Sequence, residues 1–492
     1  MKKTVSLILV IWTLLLTACS AENPGSETTE AAATLPPVPG VTTAVSTDTE
    51  RLTPNIGSVN FGGHVFNVLT RGTSSATWYS RDIFAESITG DIIGDAVYTR
   101  NTRMEEKYGF KVAEKGSKTP AAAAAASIGS GNDEYDMFCF KIKDDITGLI
   151  LKGFLNNLNG VSAMNLDRPY YDQNSRKAFS IAGRLFLVTG DMLTMDNDAT
   201  RCVLFNKALF KEAKIENEVG GTFYGLMDRG LWTLDAMEKA ALVVTSDLNG
   251  DGVMDLSDRW GVASSAFNAL ALYNASGKLM FEKDADDIPY FTAGTEGSLE
   301  AFSRAITFLN SNFCRHYTDA YTEGIPQFKE GTLLFYSAQL ADVPLLRGME
   351  FDFGIIPLPK FSADQKSYFS TVTTYGSNCI AIPSSVQDTE RAGSIIEVLS
   401  CESMYVLTPA YYDVSLKSKL IRDAESAPAI DIILSTACFE LGYMWNWGSV
   451  YSTVTGAFNN NTPNLATSFR SSEKTANKAI ANNVETIKAF EK

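Results

Sequence analysis

The sequence predicts an α/β protein of two to four domains, or two large lobes. Three observations carry that prediction. Between Val65 and Phe140, short apolar runs alternate with amphipathic stretches, the pattern of strands joined by helices and paired in parallel. The chain has 492 residues, and at roughly 100–200 residues per domain that length gives two to four domains, or two large lobes. Apolar residues make up 45% and charged residues 20%, enough of the first to build sizeable cores.

The N-terminus sets the address. Lys2 and Lys3 precede an apolar stretch, Val5–Leu16, too short for a permanent span and suited to a secretory signal h-region. It ends in Leu16-Thr17-Ala18-Cys19, which resembles the lipobox of bacterial lipoproteins. Residues 1–18 are therefore expected to be a signal peptide and Cys19 to be lipidated, anchoring the chain to the extracellular face of the cell membrane. Residues 19–56 are rich in Ser, Thr, Ala, Pro and Glu, and predict a disordered tether. No later apolar run is long enough to cross a bilayer.

The body then reads element by element. Val65–Leu69 is a first buried strand. Ile92–Tyr108 is a helix, with Ile93, Val97, Met104 and Tyr108 near one face and Arg100, Arg103 and Glu106 elsewhere. Phe110–Val112 is a short strand, Ala121–Ala126 helical, and Tyr135–Phe140 a third strand. Arg184–Val188 and Arg201–Phe205 read as two more strands. A helix begins behind Thr233 as N-cap and runs to about Val244. Phe351–Pro359 reads as a strand and proline corner, Cys379–Pro383 as a strand, Thr389–Leu399 as a helix, and Ala466–Lys492 as a polar helix. No tandem repeat is visible.

Charge and composition narrow the chemistry. Lys plus Arg is 42 against 57 for Asp plus Glu, a net charge of −15, so a nucleic-acid partner is not expected. Two histidines, His64 and His316, leave little material for a His-rich zinc site or a Ser-His-Asp hydrolase. The other six cysteines, Cys139, Cys202, Cys314, Cys379, Cys401 and Cys438, form no CxxC pair. Disulfides and buried free thiols both remain open for them.

The most specific local motif is Asp247–Asp258, which fits a twelve-residue calcium loop. Oxygen ligands fall at loop positions 1, 3, 5, 9 and 12: Asp247, Asn249, Asp251, Asp255 and Asp258. Gly252 stands where the chain must turn, and Val253 offers its backbone carbonyl. Position 12 is Asp where a bidentate Glu is usual, which shortens its reach. The expected cofactor is one structural Ca2+; the alternative is an acidic solvated turn. A single loop argues against a paired sensor.

Several segments in order resemble one family, the extracellular solute-binding proteins of ABC importers, family 1, the sugar-binding lipoprotein type. They are the lipobox and tether, Asp95–Asn101 with Glu105–Gly109, Tyr135–Met137, Leu231–Asp235 followed by the acidic loop and Arg259–Val262, then Phe328–Phe335 and Asp352–Lys360. The resemblance covers nearly the whole chain from about residue 57. It implies a two-lobed, periplasmic-binding-protein-like fold with a hinge and an interlobe ligand cleft. Lobe one maps to 57–193 plus about 375–415. Lobe two maps to 197–372 plus about 416–492, including the loop 247–258. The hinge crossings fall near Asp191–Asp198 and Thr371–Tyr375.

The resemblance further implies a monomeric binding protein, not an enzyme, that captures a carbohydrate, an oligosaccharide, and passes it to the permease subunits of an ABC importer. Aromatic rings cover the apolar faces of sugars, while amides and charged groups bond their hydroxyls. The candidates at strand ends and crossings facing the cleft are Trp78, Lys141, Asp191, Met192, Phe267, Asn268, Tyr336, Tyr375, Trp445 and Trp447. Two other readings stay open. One is an exported glycoside hydrolase using two carboxylates, which needs no histidine. The other is a lipoprotein that senses a ligand or binds a peptide without transport.

Overall fold

The computed structural model describes residues 51–72, 80–346, 348–417 and 424–490; the lipidation site, the signal peptide and Trp78 lie outside them. Strand β1 (His64–Thr70) runs parallel to both β2 (Phe110–Gly116) and β3 (Met137–Lys141). The helix Ile92–Tyr108 connects the first pair. Asp91 caps it by accepting from Gly94 N at 2.7 Å, and Gly109 ends it in the left-handed conformation, φ 68°. The next crossover is the helix Pro120–Gly129, opened by Pro120, where a missing N–H costs nothing.

One residue of the first helix departs from its sequence pattern. Arg100, expected off the apolar face, lies within the stripe of Ile93, Val97 and Met104 and is fully buried. Its guanidinium fills five hydrogen bonds: Asn101 Oδ1, the carbonyls of Met192, Asp82 and Ile83, and Ser403 Oγ. Satisfied donors let a charge occupy a core position. Burial lowers its pKa to about 10.

The chain then enters a second sheet. Its strands are β4 (Arg201–Asn206), β5 (Trp260–Ser264), β8 (Cys314–His316), β9 (Leu333–Gln339) and β10 (Phe353–Ile356), reached past a small antiparallel pair, β6 (Phe281–Lys283) and β7 (Pro289–Phe291). The order is β10-β4-β9-β5-β8, with β4 antiparallel to both neighbours and β9, β5 and β8 mutually parallel. The helix Leu234–Val244 feeds β5, and Thr233 Oγ1 caps it from Ala236 N at 3.3 Å. It lies so close that a Cβ on Gly261 would stand 2.5 Å from that of Ala241.

The return to the first sheet runs through β11 (Ser370–Thr371), which pairs with β13 (Ala437–Cys438), into β12 (Asn378–Ala381), antiparallel to β3. The first sheet therefore has the order β12-β3-β1-β2 and is not wholly parallel. The segment expected to be a strand at Arg184–Val188 is buried, yet it meets β12 only at Val188–Ile380. Its other end is drawn off by a loop: Leu185 N donates to Asn157 Oδ1 and its carbonyl accepts from Leu158 N. The helix Thr389–Pro409 packs on Ile92–Tyr108, and the helix Ser426–Ser435 packs on β10. The C-terminal helix Ala466–Ala489 buries Phe469, Ala476, Ile480 and Ile487.

All six body cysteines are free thiols, five of them buried, which resolves the open choice against disulfides. No helix among the described residues is long and apolar enough to cross a membrane.

Candidate functional site

The ends of β9, β5 and β8 point the same way, so the residues following them gather at one edge of the second sheet. Such an edge, beyond the carboxyl ends of parallel strands, is where open α/β sheets receive ligands. Ser265 and Phe267 follow β5, Tyr317, Thr318 and Tyr321 follow β8, and Gln339 ends β9. β4 runs the other way, so its first residue, Arg201, pairs with Gln339 at the same edge. Facing them are Lys143, just past β3, and Thr373, Thr374 and Tyr375 on the return crossing. With Tyr443 and Tyr451 these residues line a cavity of about 270 Å³.

The two crossings are tied to each other and to β3 beneath the cavity. Thr200 bridges Val372, Thr373 N donates to Ala199 O, and Lys143 N donates to Thr374 O. Both sheets therefore meet at the cavity through chain segments bonded to each other.

Arg201 is the central polar group. It is 6% exposed; Nη2 donates to Asn268 Oδ1 at 2.5 Å, and the guanidinium sits 4.9 Å from the Phe267 ring centre. Its Nε, Asn268 Nδ2 and Gln339 Oε1 are buried without hydrogen-bond partners among the described residues. Unfilled buried donors and acceptors are costly and concentrate at sites that await a ligand or water. Aromatic faces complete the wall: Phe267 packs on Tyr443 at 5.3 Å, and Tyr443 on Tyr451 at 6.1 Å. Lys143 Nζ stands 5.2 Å from the Tyr451 ring and Lys141 Nζ 4.6 Å from the Tyr375 ring. Tyr375 itself is 60% exposed. Burial, with Arg71 nearby, lowers the Lys141 pKa to about 8.

The sequence-predicted residues divide into three groups. Phe267 and Tyr375 line the cavity, and Lys141 and Asn268 stand directly behind Tyr375 and Arg201. Asp191 and Met192 sit at the crossing away from the lining. Asp191 accepts from Thr408 Oγ1 at 2.8 Å, and burial raises its pKa to about 7, while the carbonyl of Met192 serves Arg100. Tyr336 and Trp447 pack in cores, and Trp445 lies half-buried against Trp447, its Nε1 without a partner among the described residues. Tyr336 is wholly buried between Tyr317 and Phe328 because residues of a central strand face helices on both sides. Trp445 and Trp447 stack at 5.1 Å, and Trp447 closes on Phe281 and the C-terminal helix. Their flanking tyrosines, Tyr443 and Tyr451, reach the cavity in their place. Neither histidine lines it: His64 binds Asp136, and His316 binds the carbonyl of Leu309.

Arg201, Lys143, Tyr317, Tyr321 and Gln339 were not among the sequence candidates. Arg201 carried a usable signal. It opens an otherwise apolar run, Cys202–Phe205, in which a charge has no packing role.

The acidic loop folds onto its own backbone. Asp247 accepts from Gly250 N and Gly252 N, Asn249 from Asp251 N, and Asp251 from Val253 N. Asp255 accepts from Ser257 N, and Asp258 from Leu248 N and Asp255 N. Gly250 and Gly252 supply the left-handed turns, φ 72° and 83°. The donor chemistry suits a hard cation, and carboxylate oxygens keep lone pairs beyond these bonds. Among the described residues, though, no three acidic, His or Cys groups are gathered as a metal site requires.

No family model matches the sequence, and no curated protein matches it. Solved structures share the fold. A cyclo/maltodextrin-binding protein complexed with maltotetraose is 13% identical, with 87% of this chain and 99% of that chain covered and a TM-score of 0.55. The cyclic α-maltosyl-1,6-maltose binding protein from Arthrobacter globiformis is 13% identical, over 86% and 100%, with a TM-score of 0.57. The maltose/maltodextrin-binding domain from Bdellovibrio bacteriovorus bound to maltotriose is 15% identical, over 85% and 100%, with a TM-score of 0.51. At such identity the likeness defines the fold. The chain shares the two-lobed, periplasmic-binding-protein-like fold of these structures.

Proposed function

We propose that this chain captures an oligosaccharide in the cavity between its lobes and delivers it to an ABC importer, without chemically altering it. The observation that carries the reading is the cavity wall. Phe267, Tyr317, Tyr321, Tyr375, Tyr443 and Tyr451 surround unfilled hydrogen-bonding atoms of Arg201 and Gln339. That combination suits rings with apolar faces and polar rims. The shared fold adds support, since the solved proteins named above bind maltodextrins and maltotriose. Ligand contacts from both sides of the cavity favour a closed arrangement of the lobes, which the importer distinguishes from the open one. In the cell the protein is a monomer held outside the membrane by lipid on Cys19.

A thermal-shift screen against an oligosaccharide panel, followed by calorimetry, tests the reading. A glycan that raises the melting temperature and yields glycosidic products on incubation would favour the hydrolase alternative. One that binds and stays intact supports capture.

The acidic loop is a separate proposal, a structural Ca2+ staple held by Asp247, Asn249, Asp251, Asp255, Asp258 and the carbonyl of Val253. Calcium titration should raise the melting temperature by a few degrees. Asp251→Ala should remove the shift and leave glycan affinity intact. No shift at millimolar calcium would mark the loop as an acidic turn.

A further inference from the structure

We propose that the oligosaccharide is anionic, carrying uronate carboxylates or sulfate groups; this rests on the carbohydrate reading above and deepens it. The chain as a whole is acidic, net −15. Yet Lys141, Lys143 and Arg201, all at or directly behind the cavity wall, make no ion pair with a carboxylate among the described residues. Their partners are aromatic faces and one amide: Tyr375, Tyr451, Phe267 and Asn268. An aromatic face steadies a cation without neutralising it.

One carboxylate, the buried Asp342, acts on Arg201 through space without forming an ion pair with it, and its Oδ2 accepts from Gln339 N at 3.0 Å; the others near the cavity are committed elsewhere. Asp144 is held by Arg71 at 2.6 Å. Asp319 accepts from Tyr321 N and Thr322 N, and Glu323 from Thr318 Oγ1, so both cap their own turn. No carboxylate lines the cavity among the described residues. A neutral sugar presents hydroxyls that must donate as well as accept, and carboxylates are the strong acceptors for that purpose. This wall is rich in donors instead. The Arg201 guanidinium, on the cavity wall with a single hydrogen bond to Asn268, fits a planar or tetrahedral anion, and Lys143 at the exposed mouth adds a second positive contact.

The test is calorimetry of the full mature chain with four probes: tri-galacturonate, its fully methyl-esterified form, a sulfated chondroitin tetrasaccharide and maltotriose. Tri-galacturonate or the sulfated probe should bind at least about 10-fold more tightly than the neutral pair, with affinity falling as salt rises. Which of the two wins separates carboxylate from sulfate. Lys143→Met, which keeps the side-chain length at an exposed position, should cost the anionic probe about 10-fold, and Arg201→Gln about 100-fold, each loss larger than the one the same variant shows for maltotriose; equal losses for charged and neutral probes would overturn the charge assignment. Neutral probes binding as tightly as the charged ones would overturn the charge assignment and leave carbohydrate capture standing. No binding by any probe would overturn the carbohydrate reading, and this inference with it.

Discussion

Two buried arginines show how differently the two lobes use the same side chain. Arg100 in the first lobe has every guanidinium donor filled, by carbonyls, a hydroxyl and an amide from four separate segments. Arg201 in the second has one hydrogen bond, one aromatic face and a buried Nε with nothing to bind among the described residues. A completed set of bonds makes the first a structural rivet. An incomplete set, on the wall of a cavity, is what the proposed ligand contact at the second requires. Burial is common to both; what separates them is the number of bonds each guanidinium makes and the cavity that Arg201 lines.

The largest effect should come from breaking the rivet. Arg100→Met strands several buried acceptors, and urea denaturation should show a loss of about 3–5 kcal/mol. Arg201→Gln should shift the urea midpoint little while abolishing most ligand affinity. If the two variants exchanged behaviour, the comparison would be wrong.

The tryptophan stack sharpens the same contrast. Trp445→Ala opens a void against Trp447 and should cost about 2–3 kcal/mol, with glycan affinity unchanged in calorimetry. Tyr451→Ala removes a cavity wall and should weaken binding about 5- to 10-fold at nearly constant stability. A Trp445→Ala variant that lost affinity but kept its stability would return the site to the tryptophan pair.

The smallest effect is electrostatic. Burial raises the Asp191 and Glu440 pKa values to about 7 in the folded protein. Unfolded carboxyls ionise near pH 4. Between these values the native state binds more protons than the unfolded one, so stability present below about pH 4 is lost as pH rises to 7 and beyond. Asp191→Asn should raise stability at pH 8 relative to the native chain by on the order of 1 kcal/mol and flatten the pH profile. An unchanged profile would place the ionisation elsewhere.

Much of the fold could be read in the residues because its signals are local. Asp91 and Gly109 bracket one helix, Thr233 caps another, and β1, β3 and β12 carry short apolar runs, broken in β1 only by Asn67. Arg184–Val188 could not be read correctly, since an apolar run does not say whether a neighbouring strand or a loop takes its backbone bonds. The site was only half legible for a related reason. Phe267 and Tyr375 follow strand or crossing positions that periodicity exposes, but Trp445 and Tyr443 differ only in which way a short helix, Leu441–Trp445, turns them. Aromatic density marked a segment that reaches the cavity, but its tyrosines and not its tryptophans line the wall. Arg201 and Gln339 meet across antiparallel strands more than a hundred residues apart, a pairing that no local pattern encodes.

The most direct measurement is a crystal structure of the protein with the tightest-binding oligosaccharide of the panel. Density for the sugar between Arg201, Phe267 and Tyr375, with both lobes in contact, is the predicted result. Density seated on the Trp445–Trp447 face or elsewhere on the surface, with the cavity holding only solvent, would contradict it.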